Sequence, residues 1–183
     1  AATVLDYGLD DHSSDRIAIN GGAVAHDGVL RPVPVKGLAK SGDTGHLTVI
    51  EAAADSADFR GLEVESTAAV TYALDRNAPT VVPYLTDRAP DRTIAIDYEV
   101  DYSPWDGSPA AERRAAAATG IGPNADNFAA YIDQLVDARR AALMAGRDDY
   151  AFVDRLTLDI LRLGTIEELL TVYNGLAPGA TLA

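Results

Sequence analysis

A chain of 183 residues with 48% hydrophobic residues, no cysteine and a formal charge of −13 has enough apolar content for one substantial core or two small ones. The missing thiols exclude disulfides, thiolate metal sites and thiol nucleophiles, and the lack of a basic stripe argues against nucleic acid and anionic membrane surfaces as partners. No apolar run approaches the roughly 18 residues of a spanning helix, so no membrane insertion is expected.

The charge is lopsided. Asp outnumbers Glu about threefold, and Lys36 and Lys40 are the only lysines against 13 arginines. A high-GC genome explains the arginines but not the Asp excess. Self-repulsion at this charge weakens a compact state in dilute buffer, whereas molar salt shortens the screening length to about 3 Å and removes most of that cost. The composition therefore points to a surface suited to concentrated salt, where weakly held cations rather than a cofactor are expected.

Up to residue 106 the chain reads as short strands with β-branched residues and alternation, separated by Gly, Pro, Asp and Asn: 3–7, 16–20, 29–35, 46–51, 62–66, 69–74, 80–85 and 93–102. Their spacing predicts an antiparallel β sandwich or barrel over 1–106. Pro32 and Pro34 fall on one side of the third segment, which predicts a sheet edge or a polyproline-like arm and makes the pair candidates for partner binding. The turn sequences "DRNAP" (75–79) and "DRAP" (87–90) bracket 80–85 and predict a meander of 69–74, 80–85 and 93–102.

Beyond residue 107 the apolar period changes from two to about 3.6, and strands followed by helices define an α+β class with a helical domain over 107–183. A bundle of about four helices is expected. The first spans 108–120, from the Ser108 cap and Pro109 to Gly120. A second starts at Asn124 or Asp126, carries Phe128, Tyr131, Ile132, Leu135, Val136 and Leu143 on one stripe, and ends at Gly146. A third, 150–163, is opened by Asp148 or Asp149. A fourth begins with a Thr165–Glu168 capping box, turns Ile166, Leu169, Leu170 and Tyr173 inward and ends at Gly175. Leu176 and Pro178 belong to a short apolar tail without periodicity, which makes them candidates for contact with a neighbouring subunit.

The candidate chemistry is sparse. His12, His26 and His46 lie beside acidic residues, and with Asp43 they are candidate ligands for a hard metal ion, because imidazole and carboxylate are the ligands such an ion takes. No pair of them has short ligand spacing. Asp43 also heads an Asp-Thr-Gly triplet of the kind aspartic proteases use, but it follows a Gly-rich loop rather than an apolar strand. Asp97, Glu99 and Asp101 form an alternating acidic row, a weaker candidate for holding a cation. Alternate strand side chains stand roughly 7 Å apart, so a solvated strand face accounts for the row. No Gly-x-Ser-x-Gly elbow or phosphate-cradling glycine loop occurs.

These observations lead to an expectation of a non-enzymatic structural subunit of a larger assembly: a capsid, decoration or tail component of a virion, or another extracellular assembly, adapted to high salt. Its expected partners are itself and other subunits of the particle. The alternatives are a small metal-dependent enzyme built on the histidines of the β domain and a ligand-binding module. A location in the cytoplasm of a halophile is the other expectation for compartment.

Overall fold

The computed structural model of the chain describes residues 2–19, 27–52, 59–78, 92–105 and 123–176. Two compact units are present. The first comprises Ala1–Gly37, Thr44–Ser66 and Tyr72–Glu99, and the second Leu38–Asp43, Thr67–Thr71 and Val100–Ala183.

Among the described residues there are seven strands: β1 (Ala2–Gly8), β2 (Ile17–Ile19), β3 (Asp27–Lys36), β4 (Thr44–Ala52), β5 (Gly61–Val64), β6 (Val70–Asp75) and β7 (Arg92–Val100). They lie where alternation places them; the segment 80–85, the middle of the expected meander, falls outside the described residues. The strands form two sheets, ordered β1-β3-β5 and β2-β4-β7-β6.

The all-antiparallel sandwich or barrel that was expected is corrected in strand direction. The pairs β1–β3, β3–β5 and β2–β4 are parallel, β4–β7 is antiparallel, and among the described residues no barrel closes. Alternation reports which side chains are buried, and it is blind to the direction of the neighbouring strand.

Pro32 and Pro34 are buried in β3, the middle strand of its sheet, but on the stretch beyond Leu30, where β1 is the neighbour it pairs with among the described residues. The Glu65 N–H donates to the Leu30 carbonyl, so even-numbered residues of β3 point toward the side of β5. The β5 ladder reaches only Leu30, opposite Val64, so the two prolines follow where that ladder has ended and no donor is missing from it.

The strand patterns explain the core of this unit. Leu5 and Tyr7 are buried in β1 while Val4 and Asp6 are exposed. In β4 the register shifts between Thr48 and Ile50, the mark of a bulge, and both Val49 and Ile50 are buried. Beyond the bulge Glu51 is fully buried, in register with the buried Thr93 of β7 and 3.3 Å from the Arg16 guanidinium. On β7 the wet face begins late. Thr93 and Ala95 are buried along with Ile94 and Ile96, and only Asp97 and Glu99 keep the alternation with Tyr98 and Val100.

Three helices occur among the described residues, where about four were expected: α1 (Pro123–Met144), α2 (Phe152–Leu161) and α3 (Ile166–Leu176). The segment 108–120, expected as the first, lies outside the described residues. Proline at the start of α1 fits a position whose N–H has no helical partner. The helix ends in a Schellman motif: Gly146 has φ +67°, its N–H bonds the Leu143 carbonyl, and the Arg147 N–H bonds the Ala142 carbonyl. The stripe of α1 buries Ile132, Leu135 and Val136 but leaves Tyr131 and Leu143 about half exposed.

Two helix starts contrast. α3 has its capping box, with the Glu168 N–H bonded to Thr165 Oγ1 at 3.2 Å and Glu168 Oε2 accepting the N–H groups of Gly164 and Thr165. Inward are Leu169, Leu170 and Tyr173, while Ile166 is exposed. α2 begins after Ala151 with no side-chain cap, because Asp148 and Asp149 bind arginines instead.

Candidate functional site

Among the described residues of the strand unit three tyrosines form a buried cluster. Tyr7, Tyr72 and Tyr98 are each at most 5% exposed, and they come from β1 of one sheet and from β6 and β7 of the other. The Tyr7 and Tyr72 hydroxyls are hydrogen-bonded at 2.8 Å, and the Tyr7 and Tyr98 ring centres lie 5.3 Å apart in a tilted arrangement. Gly45, in register with Tyr98, is required by this packing, since a Cβ there would collide with the Tyr98 ring. The Tyr98 hydroxyl donates to the Leu9 carbonyl at 3.4 Å and lies 3.3 Å from Nδ1 of His12.

His12 closes this cluster from an exposed loop and has left-handed backbone, φ +49°. The loop is tied down locally. Asp11 accepts hydrogen bonds from the Ser13 N–H and hydroxyl and pairs with Lys36 at 2.6 Å. The Lys36 ammonium, followed by the Ser13 donors, holds the Asp11 carboxyl well below the usual carboxylate range. Burial pushes the Tyr72 hydroxyl above the ordinary phenol value.

His46 Nδ1 lies 2.6 Å from Asp97 Oδ1, a cross-strand pair between β4 and β7 with both side chains about half exposed. Glu99 is exposed on β7. Asp101, in the second unit, accepts the Ser103 N–H at 2.7 Å. Asp43 belongs to the second unit as well, where it pairs with Arg140 at 2.7 Å and accepts the Lys40 N–H at 2.9 Å. His26 and Pro178 lie outside the described residues, and Leu176 is half exposed at the end of α3. Among the described residues no group of three or more His, Cys, Asp or Glu side chains could hold a metal ion, and no helix is long and apolar enough to cross a membrane.

The helical unit is held by ions that sequence reasoning passed over. Arg139 is 4% exposed on α1; its guanidinium bonds both carboxylate oxygens of Asp154, the Asp149 carbonyl and Asp148. These bonds, Asp154 first, raise the already high pKa of the guanidinium and keep it charged. A signal existed: position 139 continues the stripe of Ile132, Leu135 and Val136, so an arginine there has to be buried and paired. A second set binds the Leu38–Asp43 segment to α1, through Lys40 with Asp137, the Ser41 N–H with Asp133, and Arg140 with the Leu38 carbonyl. Tyr173 packs on Phe128 and Trp105 and donates to the Tyr102 carbonyl, while Tyr102 donates to the Ala39 carbonyl, both at 3.0 Å. Burial raises the pKa of both phenols.

In both units these groups tie segments together: strands and a loop in one, a loop and helix ends in the other. Compared with protein-family models, with curated proteins and with solved structures, the chain matches none.

Proposed function

We propose that the chain is a non-enzymatic structural subunit of a larger assembly adapted to concentrated salt, of the kind that builds or decorates a virion. The observation that carries this reading is a group of large apolar side chains left in water at the α1–α2 turn: Leu143 at 49%, Met144 at 89%, Tyr150 at 47% and Phe152 at 58% exposure. Exposed apolar side chains gathered in one place mark surfaces that meet another protein. Beside them Arg147 pairs with Asp149, and Arg139 with Asp148 and Asp154. In the same reading the two sheets of the strand unit form an open sandwich around Tyr7, Tyr72 and Tyr98.

Light scattering coupled to size exclusion over a concentration series in molar salt tests the proposal. A mass of at least twice 19.2 kDa is expected, and a strictly monomeric species at the highest concentration overturns it. Stability should rise from low to molar salt. An unfolding free energy that stays flat removes the salt adaptation.

A further inference from the structure

Most sheet edges among the described residues are blunted, as edges of soluble proteins have to be to avoid pairing with another chain. β2 is three residues long. Arg76 takes the carbonyls of Phe59 and Leu62 at β5, and the Ser66 hydroxyl takes the Tyr72 N–H on β6. The last part of β1 is covered too: the Asp6 N–H bonds the Asp15 carboxylate, the Asp6 carbonyl accepts the Asp15 N–H, and the Gly8 N–H bonds the Ser13 carbonyl. Among the described residues nothing gives residues 2–5 such cover. Ala2, Thr3 and Val4 are exposed, and the segment carries neither charge nor proline.

We propose that the first half of β1 pairs antiparallel with β1 of a second copy of this chain, across a two-fold axis at Thr3. The bonds of Asp6 and Gly8 show which way the groups face. Even-numbered residues of β1 direct their N–H and carbonyl away from β3, so the outward groups along 2–5 belong to Ala2 and Val4. In an antiparallel pair, opposite residues either exchange both hydrogen bonds or none, in alternation. An axis at Thr3 makes Ala2 and Val4 of the two copies exchange bonds on either side of it, and sets Thr3 opposite Thr3 as the closer, non-bonded pair, a favourable combination. An axis at Val4 would instead require the outward groups of Asp6, which Asp15 already holds. A second copy suits this edge because no carboxylate then opposes another across the axis, although each copy carries −13.

This contact rests on the assembly reading above, and the experiment separates the two. Light scattering in molar salt is run on the wild type, on Val4→Pro, which removes an outward N–H without touching the β3 ladder, and on Thr3→Asp and Thr3→Lys, which set like charges across the axis. The proposal expects the mass of each variant to fall at least twofold at an unchanged circular dichroism spectrum, and an equimolar mixture of the two charged variants to regain the wild-type mass. If one variant fails to fold, the charged pair and its mixture still decide. Variants that keep the wild-type mass overturn the β1 contact while leaving the assembly standing; a monomeric wild type overturns both.

Discussion

The same side chain does different work in the two units. In the strand unit the Tyr7 and Tyr72 hydroxyls bond each other, so the partner of a buried phenol is another side chain. In the helical unit Tyr102 and Tyr173 donate to backbone carbonyls of Ala39 and Tyr102, so each phenol holds a stretch of chain. Burial makes both arrangements favour the neutral phenol, but they differ in what a mutation leaves behind. A phenol whose partner is deleted is a buried polar group without its bond, whereas a deleted phenol that served a carbonyl takes an anchor from the backbone.

The largest effect that tests this contrast is expected at Tyr173. Replacing it by alanine removes the ring that packs on Phe128 and Trp105 and should cost about 3–5 kcal/mol, while Tyr173→Phe should cost about 1 kcal/mol. Chemical denaturation of both variants gives the two numbers; equal losses would mean that the hydroxyl, not the ring, anchors α3.

Alkali should act next. Tyr72, Tyr102 and Tyr173 all have folded pKa values raised above 10, so their stabilisation is complete below the unfolded value. As pH rises past 10 the unfolded state releases protons that the folded state retains, and stability falls by about 1.4 kcal/mol per pH unit for each phenol. The slope above pH 10 should therefore be shallower in Tyr173→Phe than in the wild type; an unchanged slope would remove Tyr173 from the set.

A mutual pair predicts coupling. Tyr7→Phe should cost about 1–3 kcal/mol because the Tyr72 hydroxyl loses its bond, and adding Tyr72→Phe should give some of that back. Additive losses in the double-mutant cycle would show that the two hydroxyls are satisfied independently. The smallest effect is expected at the surface: Asp97→Asn, which weakens the half-exposed pair with His46, should change stability by less than about 1 kcal/mol and by still less in molar salt. A larger loss would mean that the pair contributes to the fold.

Much of this architecture is legible in the chain. Alternation marks strands such as β1, where Leu5 and Tyr7 turn inward, and the capping box at Thr165 and the glycine at 146 mark helix ends through bonds that depend only on local spacing. The partners of the candidate site residues were less legible. In the acidic row Asp97 pairs with His46 from another strand and Asp101 accepts the N–H of Ser103 two residues on, while Asp43 sits in a loop clamp with Arg140. Apart from Ser103 these partners lie far off in the chain, and no spacing rule reaches them.

By itself, then, the sequence determined the described strands and the three described helices, their order, the inward residues of most of them and the acidic composition, because each depends on neighbours within a few positions. Tertiary structure alone decided that β1, β3 and β5 run parallel, that two buried prolines follow the point where the β5 ladder ends, that Tyr7, Tyr72 and Tyr98 converge, and that Glu51 and Arg139 are buried. Strand direction and buried pairing depend on which distant segments come together, and hydrophobic burial selects that arrangement without leaving a periodic trace in the chain.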